Sequence, residues 1–394
     1  MADRPALAVV VQRYGPDVTG GSESLARAVA ERLTADYRVT VLTTRARDYV
    51  TWRNELPAGT ERLGGVEVKR FTVEEQRDLA DFNRFSDMLY GRPHRREDEL
   101  DWLRRQGPYV PSLVRELEAS REEFHAVMFF TYLYYPTFWG LEAAPERSLL
   151  VPTTHDEPPL RFGIYREMFA RPRAFAFLTA PEEALVRSRF PLADRPAKVA
   201  GIGVETPPSP GVEAFRARHR VSGRYLLYAG RIDAGKGCVE MLDFYARYRS
   251  GDPQAPELLL IGNLAMPEPT AAGVRYLGYL PEPEKAAALA GADVVLCPSP
   301  FESLSIVLLE GFALGVPGLV NARSAVLQDH CRRANGGLYY GSADEFVETL
   351  GLLLHDEPLR RALGENGRRY VGDNYRWDVV LARYRELIEA AASG

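Results

Sequence analysis

Lysine is almost missing from this chain. Of 49 basic residues among 394, only four are lysine (Lys69, Lys198, Lys236 and Lys285). Arginine in place of lysine is what GC-rich coding produces, which suggests a bacterial source, and it makes each remaining lysine worth locating. Cysteine is scarce too. Cys238, Cys297 and Cys331 lie far apart with no paired spacing, which excludes a disulfide framework or a zinc knuckle and points to a reducing compartment. No apolar run approaches the roughly 20 residues of a membrane-spanning helix. The opening "MADRPALAVVVQ" has an apolar run of about seven and no cleavage pattern. A cytoplasmic protein is expected; peripheral membrane contact stays open, because a few surface residues suffice for it. Charge of one sign is also thin. A net charge of −5 and a pI near 5.8, without long single-sign blocks, argue against a nucleic-acid partner, whose binding rests on phosphate neutralisation.

What is present is apolar and periodic. A hydrophobic content of 46% over 394 residues suffices for two cores. "ALAVVVQ" (6–12) meets a glycine turn and then a helical pattern with Leu25, Val29 and Leu33 on one face. "RVTVLTT", "VEVKRF", "AVMFFT", "SLLVPT" and "AFAFLT" supply further strands between helical segments. Continuous aliphatic strands alternating with helices predict parallel sheets covered on both faces. "PPSPG" (207–211) breaks the pattern, which restarts with "RYLLYAG", "ELLLIG", "VRYLG", "DVVLCPS" and "GVPGLV". The spacing predicts one domain over 1–206, a second over 207–373 and a closing helical segment over 374–394. The charged stretch "RPHRREDELDWLRRQ" within 74–110 reads as a solvated helix, with a lid over a site as the alternative.

Doubly wound sheets bind ligands outside the carboxyl ends of their strands. There the first half carries "TGGSES", with Gly20 and Gly21 opening a helix whose amino terminus attracts an anion, unless the glycines serve only the turn. The second half carries "AGRIDAGKG". Arg231 and Lys236 lie five apart across a turn containing Gly235 and Gly237, a pair suited to a diphosphate rather than to bulk solvent. In "PSPFESLSIVLLEGFALGVPGLVN", Glu302 falls ahead of a predicted helix and Glu310 about two turns in, roughly 12 Å further along at 1.5 Å per residue. A long ligand with hydroxyls at its ends and phosphates between them would satisfy both acids. For Glu310 the plain alternative, a solvated charge, fits badly with the surrounding Leu308, Leu309, Phe312 and Leu314. His155 in "PTTHDEP" follows a strand end, with Asp156 and Glu157 placed to orient it or to cap the next turn. Tyr132 and Tyr134 follow another, as core or as an acceptor-stacking wall.

Together the "GRIDAGKG" pair, the glutamates separated by seven residues, "GVPGLV", Gly20 and Gly21, His155, "NGGLYY" and "YRWD" resemble the retaining, nucleotide-sugar-dependent glycosyltransferases of family four over nearly the whole chain. That resemblance implies the GT-B architecture: α/β, with two Rossmann-like doubly wound domains facing across a cleft and the last helix, from about Tyr375, returning to the first. It implies catalytic roles for His155, Arg231, Lys236 and Glu302. Arg231 and Lys236 would neutralise the diphosphate of a nucleoside diphosphate sugar. Glu310 would hold the ribose, Glu302 the sugar, Gly21 would approach the phosphates, and His155 would lie beside the sugar near an unidentified hydroxyl acceptor. Front-face attack with retention is implied likewise. One departure stands out: Ser303, Leu304 and Ser305 occupy a turn that the family usually builds from glycine, and are expected to meet the donor through backbone amides and the serine hydroxyls. No Asp-x-Asp triplet occurs, so no metal or other cofactor is expected. An epimerase or phosphorylase on the same architecture, and a non-catalytic sugar-nucleotide-binding subunit, are the competing readings.

Overall fold

The computed structural model describes residues 4–18 and 20–393 and divides into two compact units, Met1–Gly201 with Leu381–Gly394, and Ile202–Val380. The first unit contains strands β1 (Ala6–Val10), β2 (Arg38–Thr44), β3 (Gly59–Leu63), β4 (Val66–Phe71), β5 (Ala126–Phe130), β6 (Ser148–Val151), β7 (Ala174–Phe177) and β8 (Ala197–Val199). They form one sheet in the order β3-β4-β2-β1-β5-β6-β7-β8, parallel throughout except for the β3–β4 pair. That hairpin turns on Gly64 and Gly65, both at positive φ (55° and 83°), a conformation glycine adopts without steric cost. The aliphatic β1 and the aromatic-rich β5 are buried along their whole length, as strands covered on both faces must be. Covering them are α1 (Gly21–Leu33), α2 (Leu79–Tyr90), α3 (Arg96–Gln106), α4 (Pro111–Ser120), α5 (Tyr135–Ala143), α6 (Gly163–Phe169) and α7 (Ala180–Arg189).

The second unit has β9 (Tyr225–Ala229), β10 (Glu257–Ile261), β11 (Val274–Tyr276), β12 (Val294–Cys297), β13 (Gly318–Asn321) and β14 (Gly337–Tyr340) in the all-parallel order β11-β10-β9-β12-β13-β14. Its helices are α8 (Val212–His219), α9 (Cys238–Gly251), α10 (Glu282–Ala290), α11 (Ile306–Ala313), α12 (Ala325–Ala334), α13 (Ala343–His355) and α14 (Glu357–Asn374). The order places β9 and β12 side by side, so the turn after β9 and the loop after β12 emerge together. Helix α15 (Trp377–Ala392) runs from this unit into the first. There Tyr384 donates to the Gly201 carbonyl at 3.1 Å, Arg385 pairs with Asp36 at 2.8 Å, and Tyr37 donates to Glu389 at 2.9 Å.

The charged segment around residues 92–106 departs from the solvated helix expected of it. Glu99, Trp102, Leu103 and Gln106 of α3 are buried, an i, i+3, i+4, i+7 stripe within a charged sequence. The Trp102 indole donates to Ser86 at 2.8 Å. Glu99 accepts from the backbone amides of Gly163 and Ile164, each at 2.9 Å. These are among the unsatisfied donors at the start of α6, so an acid on one helix caps another.

Candidate functional site

In the second unit the turn after β9 and the loop after β12 are forced into contact. A Cβ on Gly237 would lie 2.3 Å from the Pro298 carbonyl oxygen, and Gly237 has φ +75°, so only glycine fits on both counts. Asn321, buried at the end of β13, donates to the same Pro298 oxygen at 3.0 Å. Asp233 organises the first turn by accepting from the Lys236 amide at 2.8 Å and pairing with the Arg231 guanidinium. Lys236 crosses to the second loop, its ammonium 2.7 Å from Glu302 Oε1. The two cations are thus each engaged with an acid. The Arg231 side chain is half exposed and that of Lys236 one-third exposed.

Helix α11 begins at Ile306, three residues later than the sequence pattern suggests. Glu310 is therefore its fifth residue, little more than one turn in rather than two. Ser305 precedes it at φ +62°, ψ 73° without a side-chain capping bond. This is a left-handed conformation that a glycine adopts freely and a side chain at some cost. The serine has kept the backbone geometry a glycine-rich turn would have. Leu304 is buried, and its carbonyl accepts from His330 Nε2 at 2.9 Å. Burial pushes the His330 imidazole down to about 4. It is therefore neutral, donating through Nε2 and accepting from Tyr370 through Nδ1 at 3.2 Å. Ser303 stands between Glu302 and this anchored carbonyl.

Glu310 does not sit with Glu302. Its Oε1 accepts from Lys285 on α10 at 2.9 Å, and Lys285 also pairs with Glu282 at 2.7 Å. Oε2 is buried, and no donor among the described residues reaches it. Burial raises the carboxyl of Glu310, and Lys285 opposes that rise. Two lysines of the four thus meet the two glutamates, Lys236 with Glu302 and Lys285 with Glu310. Sequence reasoning named Lys285 only as a member of a scarce set; the scarcity was the signal for it.

In the first unit, the anion at the expected turn includes the protein's own. Gly20 has φ +153°, and a Cβ there would meet Glu23 Oε2 at 2.2 Å. The Glu23 carboxylate is buried and accepts from Gln12 at 2.9 Å, from Arg13 Nε at 2.9 Å and Nη2 at 2.6 Å, and from Ser22 at 2.9 Å. Gly21 begins α1 with open space beside it.

His155 is about two-fifths exposed and its Nε2 lies 3.4 Å from Glu157 Oε2. Asp156 turns away to Arg189 at 2.7 Å. Tyr132 donates to the other oxygen of Glu157 at 2.7 Å. Its ring is fully buried, edge-on to Tyr165 at 4.9 Å, so it supports Glu157 and follows the core alternative rather than that of an acceptor wall. Tyr134 is half-buried, edge-on to Trp52 at 5.4 Å. The backbone under His155 is pinned by Glu182, which no motif announced. Its fully buried carboxylate accepts from Thr154 N at 2.6 Å, Thr154 Oγ1 at 3.0 Å and Leu178 N at 2.6 Å. Burial pushes this carboxyl up to about 7 in spite of those donors.

Two Rossmann-like α/β units in tandem, with these loops at the carboxyl ends of the second parallel sheet, define a GT-B fold. Residues 213–370 match the family described as Glycosyl transferases group 1. Over 218 residues the chain is 29% identical to an MMP alpha-(1->4)-mannosyltransferase from Mycolicibacterium hassiacum, covering 51% of this chain and 50% of that one. Glycogen synthase from Thermus thermophilus is 30% identical over 190 residues, 45% of this chain and 41% of that one. The chain thus spans about half the length of these curated relatives. Among solved structures, sucrose-phosphate synthase from Thermosynechococcus elongatus superposes with a TM-score of 0.70 at 18% identity, covering 98% of this chain and 100% of that one. HepE from Anabaena, solved in complex with UDP and glucose, gives 0.69 at 15% identity over 99% and 100%.

Proposed function

We propose that this protein is a retaining glycosyltransferase that moves a sugar from a nucleoside diphosphate sugar to an acceptor hydroxyl, in the assembly of a bacterial polysaccharide, glycoconjugate or secondary metabolite. The observation that carries the proposal is the pairing of Lys236 with Glu302 across the turn after β9 and the loop after β12, beside a half-exposed Arg231. The group 1 match over residues 213–370 and the UDP seen in the Anabaena neighbour support a nucleotide-sugar donor.

In the reaction so read, charge develops on the leaving diphosphate as the glycosidic bond stretches, and Arg231 and Lys236 stabilise it there. Glu302, already held by Lys236, accepts from hydroxyls of the donor sugar, and Glu310 from those of the ribose. The departing phosphate takes the acceptor proton on the face it leaves, which gives retention, so neither a protein nucleophile nor a metal ion is invoked. In the first unit His155, braced by Glu157, serves the acceptor side, and Gly21 lets backbone approach phosphate.

A thermal-shift screen of nucleoside diphosphate sugars identifies the donor, because a ligand bound only by the native state raises its stability. With that donor, Arg231→Ala and Lys236→Ala are each expected to lower turnover on the order of a hundredfold while folding normally. Near-normal kinetics in both variants would remove the assigned roles. Epimerised donor, or phosphate-dependent release of sugar phosphate without an acceptor, would replace transfer with the competing enzyme reading. The anomeric configuration of the product, read by NMR, tests retention.

A further inference from the structure

The Glu310 side chain is 15% exposed; one carboxylate oxygen is engaged, and the other is buried with no donor among the described residues. Burying a carboxylate is costly unless it is paired, and buried acceptors are almost always satisfied. The cation that pairs it, Lys285, comes from α10, twenty-five residues away, and has a side chain only 19% exposed. Lys285 is itself tethered on its outer side by Glu282, the first residue of α10, whose side chain is 73% exposed. The three form a line from solvent inward: acid, ammonium, acid.

The residue type matters in a chain that otherwise uses arginine. A guanidinium engages both oxygens of a carboxylate through its planar fork, whereas an ammonium is a compact point charge without that fork. Lys285 meets Glu310 at Oε1 alone and leaves Oε2 an acceptor. Glu282 meets the ammonium on its outer side at 2.7 Å.

We infer that Lys285 is a positioning residue for the donor: it holds Glu310 by one oxygen so that the other accepts from the ribose hydroxyls of the nucleotide, with Glu282 as its tether. This rests on the reading of Glu310 as the ribose acid. Lys285 need not touch the ligand to act.

The test is calorimetric binding of UDP and GDP, each beside its 2′,3′-dideoxy counterpart, to the full chain carrying Lys285→Met, Glu310→Gln or both. The wild type is expected to prefer the ribonucleotide of its cognate base by about tenfold or more, the scale of a hydrogen bond to a charged acceptor. Lys285→Met should lose most of that preference while its affinity for the dideoxy nucleotide stays near the wild-type value. Added to Glu310→Gln, it should cost nothing further. Loss of ribo- and dideoxynucleotide binding in equal measure would overturn the inference, because it would mean direct contact or a general structural role. So would an unchanged preference in Lys285→Met. If instead Glu310→Gln leaves the preference intact, or the wild type shows none, the ribose assignment itself fails, and with it the basis for this step. Should Lys285→Met not fold, Lys285→Gln carries the same readout. Glu282→Gln is expected to give a smaller loss in the same direction.

Discussion

The two units each begin a β–turn–α passage with glycines, and the two turns do opposite things with charge. After β1, the turn at Gly20 is closed over by Glu23, a buried carboxylate accepting from Arg13, Gln12 and Ser22. After β9, the turn at Gly235–Gly237 sends Lys236 outward to an acid on the neighbouring loop and leaves Arg231 half exposed. One turn is closed by a buried acid; the other carries two part-exposed cations, each met by an acid. Glycine at a strand-to-helix turn therefore fixes a backbone shape, and the side chains around it decide whether the shape serves stability or binding.

That contrast breaks most sharply at Glu23. Glu23→Ala leaves Arg13 buried without its acid, and the first unit is expected to lose about 3–5 kcal/mol of stability. Denaturant unfolding followed by tryptophan fluorescence reads this, since Trp52, Trp102 and Trp139 all lie in that unit. A change below about 1 kcal/mol would mean that the turn is not held by this pair.

Glu310 and the buried Glu182 sharpen it next. Glu310 is held by an ammonium, whereas Glu182 has only neutral donors and its carboxyl is pushed up from 4.5 to about 7. A raised carboxyl means that the folded chain keeps a proton which the unfolded chain has released. Stability from this group is complete below pH 4.5 and is lost as pH rises to about 7. Relative to Glu182→Gln, the wild type is expected to lose about 3 kcal/mol over that window and nothing further above it. Parallel pH profiles for the two proteins would count against the shift.

The smallest effect is expected at Gly237. Gly237→Ala must move the Pro298 carbonyl and strain a positive φ, at about 1–3 kcal/mol. Because it displaces Lys236 from Glu302, it should also slow transfer. Ala in place of Gly21, which has open space beside it, is the matched change in the first unit and should leave stability nearly untouched.

Much of this architecture was legible from periodicity. Strands β2 and β4 run where "RVTVLTT" and "VEVKRF" place them, and the closing helices break where "GDNY" suggests. Aliphatic runs reveal strands because burial on both faces demands them. Strand β3 escaped notice because it is an exposed edge strand, "GTERL", with no apolar pattern to read. The α3 stripe was masked by charge. In the candidate site, the residue types were legible and their partners were not. Nothing in local spacing shows that Lys285 reaches Glu310 or that Glu182 lies beneath Thr154, because such pairs are set by helix packing across twenty-five or more residues. The start of α11 was misjudged because Ser305 takes a conformation that propensity assigns to glycine.

The tail of α15 has a consequence for how the molecule is made. Residues 381–394 belong to the unit that starts at the other end of the sequence, so a ribosome finishes the whole of the second unit before it can supply the last piece of the first. The half translated earliest is completed latest. Until Tyr384 and Arg385 emerge, Gly201 and Asp36 lack the hydroxyl and guanidinium they hold in the finished chain.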